Sequence, residues 1–455
     1  MNEIQGPKKR LETPVLFFFV AALVFGLGYS FITGPFQVPD EMQHFDRVYA
    51  VSSGNLFGNV DRIPSSIDFI QGLAYKMAFH ANIKFSFSEI LTFYSTPLNQ
   101  SETVQSYFPN AAVYSPLPHA PQAVGVLIGR VVNLSPLALL IFGRILNLFV
   151  WIFLGVAAIH ITPLFKWVFV ILLLMPMSIF QAASVSADSL LNGISFLCLA
   201  TLFRFIFVKD LKISLRQTAI LILLVVTLAF CKPNYVVLFG LFLAIPMSKF
   251  SSKKNYFILA GLLFAVALLA AYLSLQIGKD LYMQFQGNGG AQPTNQIMIL
   301  VNHPARFFTI ALKSFQLFGE VYFKSYIGLL GWIDTPLPDI LYISYPLILI
   351  LVALLEHDKA VEVTLFQRAV FLIIPIIALG VIILALYVTW TAYGQGWVDG
   401  LQGRYLIPIV PPLFLILYNN RVNFPKRFIP ILTASYTVIV SIVTLITLAN
   451  RFYKG

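Results

Sequence analysis

Residues Pro121 to Leu134 read PQAVGVLIGRVVNL, and the topology of the whole chain turns on them. The stretch is apolar, but it is only 14 residues long and Arg130 interrupts it. A helix that crosses a bilayer needs roughly 20 mainly apolar residues, so a segment this short reads as an interfacial or re-entrant helix. Eleven other apolar runs then remain as spans: Pro14 to Thr33, Pro136 to Ile161, Leu164 to Ala182, Leu190 to Val208, Ala219 to Phe230, Tyr235 to Met247, Tyr256 to Ile277, Ile340 to Leu355, Phe366 to Trp390, Tyr405 to Tyr418 and Phe428 to Ala449. With Met1 to Glu12 (Lys8, Lys9, Arg10) inside, alternation puts every short basic loop inside as well. These loops carry Lys166, Lys209/Lys212/Arg216, Lys249/Lys253/Lys254, Lys359/Arg368 and Arg421/Lys426/Arg427. That is the distribution the positive-inside rule requires. Counting Pro121 to Leu134 as a span would move every later basic loop outside.

Composition agrees with many spans. The 455 residues are 58% hydrophobic and 11% charged, against about 25% charged in soluble domains. The expected fold is an all-α polytopic membrane protein with about 11 transmembrane helices, multi-pass in the cytoplasmic (inner) membrane, its N-terminus cytoplasmic. The first run is longer than the ~15 residues of a signal-peptide core and no A-x-A-like site follows, so it should stay as an anchor. Residues 1–455 read as a single membrane domain with two outer regions, a first loop over 34–135 and a second over 278–339. Within the first, KMAFHANIKFSFSEI and YSPLPHAPQ suit short helices lying on the membrane surface. The net charge of +11 has no basic stripe with interleaved aromatics, so nucleic acid is not an expected partner. Cys198 and Cys231 sit in or beside apolar runs and read as packing residues.

Ionisable residues in or near spans are functional candidates, because a charge at mid-bilayer costs about 2.5 to 3.5 kcal/mol even on lenient scales. Asp40, Glu41, His44 and Arg47 follow the first span in VPDEMQHFDRVY. Arg144 lies two turns into the second span, and Asp188 opens the fourth, on the same helical face as Ser184 and Asn192. Lys232 occupies the CKPNY break, Asp334 lies in GWIDTPLP and Arg404 in LQGRYLIP. All of them fall at the outer side. Each also has a structural reading: Asp40 with Gln43 has the shape of a capping box, Asp188 can cap its own helix, Arg144 can snorkel, and Lys232 and Arg404 can sit among headgroups. The remaining histidines lack ligand spacing, so no metal site is expected, and any divalent-metal requirement stays open.

As a set, these residues suit one chemistry. Asp40 or Glu41 would accept a proton from an attacking hydroxyl. Lys232, Arg404 and Arg144 would hold an anionic leaving group, with Arg acting as a fork and Lys as a point charge. His44, Arg47, Asp188 and Asp334 would complete the substrate-binding set.

The same motifs resemble a bacterial multispanning membrane-protein family of unknown function related to the GT-C glycosyltransferases. The resemblance is carried by P-D-E-x-x-H-x-x-R (Pro39, Asp40, Glu41, His44, Arg47), YSPLPHAPQAVGVLIGR, FGRILNL, MPMSIFQAASVSADSL, GWIDTPLP and QGRYLIP, and it covers nearly the whole chain. It implies an acidic base in the first outer loop, at Asp40 or Glu41, a polyprenyl-phosphate-linked sugar donor, and surface-lying helices in that loop. PLPH departs from the P-P-L run of GT-C relatives, and its role stays open. The expected function is transfer of that sugar to an envelope glycan or lipid acceptor at the outer face of the membrane. The rivals are a transporter or flippase of a lipid-linked glycan, which would place charges near the midplane and carry inverted repeats, and a non-catalytic scaffold.

Overall fold

The long apolar runs form helices, and two of these carry an internal proline, Pro346 and Pro375. The computed structural model describes residues 12–279, 290–359, 361–419, 425 and 427–453. Lys8, Lys9, Arg10, Arg421 and Lys426 lie outside them. Six described helices are long and apolar enough to cross a membrane. They are α1 (Thr13–Ile32), α7 (Pro136–Ile161), α10 (Asp188–Phe207), α12 (Lys253–Ile277), α16 (Leu365–Thr389) and α17 (Phe428–Phe452).

The other five apolar runs are shorter or broken, mostly at proline. Leu164 to Ala182 forms two helices, α8 (Lys166–Leu173) and α9 (Pro176–Ala182). Met175 between them is extended (φ −60°, ψ 139°), because the proline ring that follows disfavours helical geometry before it. Ala219 to Phe230 lies in α11 (Leu215–Cys231), and Ile340 to Leu355 in α15 (Asp339–Leu355). Tyr235 to Met247 falls mostly in a 3₁₀ stretch, Pro233–Ala244. At a rise of about 2.0 Å per residue it reaches about as far as an α-helix a third longer. Tyr405 to Tyr418 is reduced to 3₁₀ turns at Gly403–Leu406 and Pro411–Ile416 around Pro408, Pro411 and Pro412.

Contacts sort the segment ends into two groups. At one end Lys166 pairs with Glu12, Lys249 Nζ donates to the Val208 carbonyl at 2.5 Å, and Arg368 donates to the carbonyls of Ile416 and Tyr418. There too, the Glu356 carboxylate accepts the first N–H groups of α8, from Trp167 and Val168. Lys166, Lys249 and Arg368, which charge alone places together, thus lie at one end. Asp40, Arg144, Asp188, Lys232 and Arg404 meet at the other.

The stretch that decides the topology forms α6 (Ala120–Val131), a 12-residue helix packed on the start of α7. The two backbones touch at Gly125, where a Cβ would lie 2.5 Å from the Phe142 carbonyl oxygen, so only glycine permits this approach. The rest of the first outer region contains α2 (Glu41–Ser52), α3 (Ser65–Tyr75), α4 (Phe87–Ser95) and α5 (Pro109–Ala112). An antiparallel ribbon, β1 (Val60–Pro64) with β2 (Thr103–Tyr107), was not expected from the sequence. KMAFHANIKFSFSEI is mostly loop rather than helix up to Phe87. Arg451 holds that loop open by donating to the carbonyls of Met77, His80 and Ile83. The second region contains α13 (Pro293–Asn302), the 23-residue α14 (Ala305–Ile327) and a small β3–β4 pair (Leu329–Leu330, Thr335–Pro336). Arg306, Lys313, Glu320 and Lys324 make α14 too charged for the expected span set, although it is long enough.

Candidate functional site

Four of the nine singled-out residues form one chain of ion pairs. Lys232 Nζ donates to Asp188 Oδ1 at 2.5 Å, Arg404 Nε lies 3.5 Å from Asp188 Oδ2, and Arg404 Nη2 donates to Asp40 Oδ2 at 3.1 Å. Side-chain exposure falls from 43% at Asp40 to 12%, 8% and 5% at Lys232, Asp188 and Arg404, so only the Asp40 carboxylate is open. Among the described residues, buried Arg404 Nη1 has no partner in hydrogen-bond geometry, while Nε faces Asp188.

Local sequence explains each placement. Asp40 is the N-cap residue of α2 but lies in the left-handed region (φ 65°), and its side chain caps nothing. A capping residue normally has extended geometry; here the expected box with Gln43 does not form, and the carboxylate turns to Arg404. Asp188 occupies the first turn of α10, where the helix dipole favours an anion. Lys232 is extended (φ −153°, ψ 115°) because Pro233 follows it, and α11 stops there. Its ammonium lies 5.0 Å and 4.9 Å from the ring centroids of Tyr114 and Tyr405. Arg404 is aimed by Gly403, whose backbone lies so close to α14 that a Cβ would overlap Tyr322 and Tyr326 backbone atoms. Ser325 Oγ accepts the Gly403 N–H at 2.8 Å.

His44 borders this chain through a contact the sequence did not reveal. Its Nδ1 lies 2.9 Å from Nε2 of His119, and both rings are buried. Burial pushes His44 down to about 4, against the opposing pull of Asp40 and Asp188. His119 is the histidine of the PLPH stretch, the one sequence signal that was present and left unread. Tyr114 and Tyr405 carried no spacing signal at all.

The other four belong elsewhere. Glu41 and Arg144 form a fully buried fork: Arg144 Nε donates to Oε1 at 2.8 Å and Nη2 to Oε2 at 2.6 Å. The remaining guanidinium hydrogens bind the carbonyls of Ser30, Thr33 and Gly34, and Val185 N–H donates to Glu41 Oε1. Arg144 therefore does not snorkel; it ties α1, α2 and α7 together. Arg47 points away from the ion-pair chain and closes the Asn55–Gly58 loop through its carbonyls. Asp334 pairs with Arg451 at 2.7 Å, fastening the end of α17 to the second outer region.

One further carboxyl in this region titrates unusually. Asp46 is buried on α2 and receives hydrogen bonds from Gln71 Nε2 (2.7 Å) and Ser106 Oγ (2.6 Å). Burial pushes it up to about 7 despite those bonds. Because its folded pKa is raised, its contribution to stability is complete below the unfolded value of about 3.9 and is lost as pH rises through 7. His44 acts oppositely, losing stability as pH falls from about 6.5 toward 4. We expect Asp46→Asn to gain in thermal midpoint relative to the wild type as pH rises from about 5 to about 8. A difference that stays constant across that range would show that Asp46 keeps an ordinary pKa.

The fold and this arrangement define a polytopic membrane protein with a polar site at one end of its bundle. Residues 23–413 match the family described as predicted membrane protein (DUF2142), and the chain belongs to that family. No curated protein and no solved structure matches it.

Proposed function

We propose that the protein is a GT-C-type membrane glycosyltransferase, moving a sugar from a polyprenyl-phosphate-linked donor to a cell-envelope acceptor. In this reading the chain crosses the cytoplasmic membrane eleven times, with its basic loops inside and the ion-pair end outside. The observation that carries it is Asp40: an open carboxylate held by a buried arginine that also faces Asp188 and lies beside Lys232. Asp40 accepts the proton of the acceptor hydroxyl as that oxygen attacks the anomeric carbon. The bond from that carbon to the phosphate oxygen breaks, and its electron pair leaves with the phosphate. Arg404 and Lys232 hold the phosphate's developing charge. Glu41 has no part in the proton transfer, since both its oxygens are taken by Arg144.

Transport of a lipid-linked glycan is favoured by a different observation. Broken segments end at the site, at Lys232–Pro233 and in the 3₁₀ turns after Gly403, as in transporters with discontinuous helices. Membranes given labelled polyprenyl-phosphate sugars separate the two. Transfer should occur in the wild type and fall about 10²-fold in Arg404→Ala, which loses a transition-state contact. Movement of the labelled lipid across proteoliposomes with no transfer would establish the transporter instead.

A further inference from the structure

The His44–His119 contact fixes which atom His44 shows to the site. Ring nitrogens 2.9 Å apart share one hydrogen, so one imidazole donates and the other accepts. The turn that carries His119 decides between them. Ser115 Oγ donates to the Phe230 carbonyl at 2.6 Å and accepts the Leu117 N–H, which pins the turn to the end of α11, beside Lys232. Pro116 and Pro118 stiffen it, and the His119 N–H closes it on the Pro116 carbonyl. His119 Nδ1 is buried, and the backbone of Ser115 draws a proton toward the ring, as only a carbonyl does. Nδ1 therefore carries the hydrogen of the neutral ring, and Nε2 is left as the acceptor. The reverse order would set a bare Nδ1 against a carbonyl oxygen, both without a hydrogen to share.

His44 then donates through Nδ1, and its own lone pair sits on Nε2. Burial keeps both rings uncharged at neutral pH. Among the described residues, His44 Nε2 is the one ring nitrogen of the pair that is neither bonded nor buried. The charges that act on this ring are Asp40 first, then Asp188, Arg404 and Lys232, so it borders the whole ion-pair chain. We propose that His44 Nε2 is the hydroxyl-binding position of the site and that His119 is its positioning residue. A bare lone pair accepts from a hydroxyl and offers nothing to a phosphate oxygen, whereas Lys232 and Arg404 are donors. The two sides orient a bound sugar phosphate, with a hydroxyl toward His44 and the phosphate toward Lys232 and Arg404. That the ligand is a sugar phosphate rests on the proposed function; the tautomer of His44 does not.

Solid-state ¹⁵N NMR of the full chain in nanodiscs at neutral pH reads the tautomer, with His44 assigned through its neighbours on α2. His44 should show a protonated Nδ1 and a bare Nε2. His119→Phe should release it to the Nε2–H form, and His119→Gln, whose Oε1 can take the place of the acceptor nitrogen, should restore the original. A protonated Nε2 in the wild type would overturn the proposal, and that result needs neither a folded variant nor any transfer. In the transfer assay, His44→Phe and His119→Phe should each raise KM about tenfold, the worth of one neutral hydrogen bond, with far less change in kcat. His119→Gln should recover most of that loss. A fall in kcat at constant KM would overturn the hydroxyl contact and make His44 a participant in the chemical step. Absence of transfer in the wild type would count against the proposed function, and the tautomer would still decide this inference.

Discussion

Asp40→Asn is expected to lower sugar transfer by about 10²- to 10⁴-fold, the range of a lost general base, while the thermal midpoint stays within a degree or two of the wild type. Stability should hold for two reasons. The carboxylate is 43% exposed, and Arg404, though buried, keeps the Asp188 carboxylate 3.5 Å away as a counter-charge when Asp40 is neutralised. The backbone at residue 40 is left-handed (φ 65°), a geometry that Asn tolerates as well as Asp, whereas Ala would add strain. The isosteric amide keeps an oxygen for Arg404 but removes the negative charge, and with it the capacity to take a proton. Binding of the donor lipid, read by filter retention or thermal shift, should change little, so the loss should appear in turnover. Full transfer by Asp40→Asn would remove this carboxylate from the mechanism.

The adjacent Asp40 and Glu41 show what the sequence could and could not tell. Both follow a span, both are acidic, and no pattern in VPDEMQHFDRVY ranks one above the other. The distinction lies in contacts 364 and 103 residues away, with Arg404 and Arg144. Local rules misled at the same point: Pro39-Asp40 with Gln43 has the form of a cap, but the left-handed backbone turns the side chain away. Arg47 and Asp334 were over-read for a related reason. Arginines that bind loop carbonyls, as Arg47 and Arg451 do, look in sequence like arginines that bind ligands. The long spans were legible because hydrophobicity alone determines them. The short ones were not, because Pro176, Pro233 and Pro411 turn continuous apolar runs into half-helices and 3₁₀ turns. Pro121 to Leu134 forms a 12-residue helix whose Gly125 lets it lie against α7.

Removing one member of the Glu41–Arg144 fork should be the most damaging single change in the protein. Both side chains are fully buried, and every guanidinium hydrogen is used. Breaking such a pair leaves an uncompensated buried charge and costs about 3–5 kcal/mol. Arg144→Leu and Glu41→Leu are therefore each expected to reduce folded yield sharply and to lower the thermal midpoint of what remains. The double variant Glu41→Leu/Arg144→Leu has no orphan charge and should recover a large part of the loss, since apolar replacement of a whole buried pair is often near neutral. Recovery should be incomplete, because in the double variant the carbonyls of Ser30, Thr33 and Gly34 and the Val185 N–H all lose their partners. The cycle also separates structure from catalysis at residue 41. If Glu41→Leu folds with wild-type stability yet transfers no sugar, Glu41 is the proton acceptor and Asp40 is its neighbour. If instead stability collapses with Glu41→Leu and returns in the double variant together with transfer, the fork is the joint that fixes α2, and Asp40 with it, against α1 and α7.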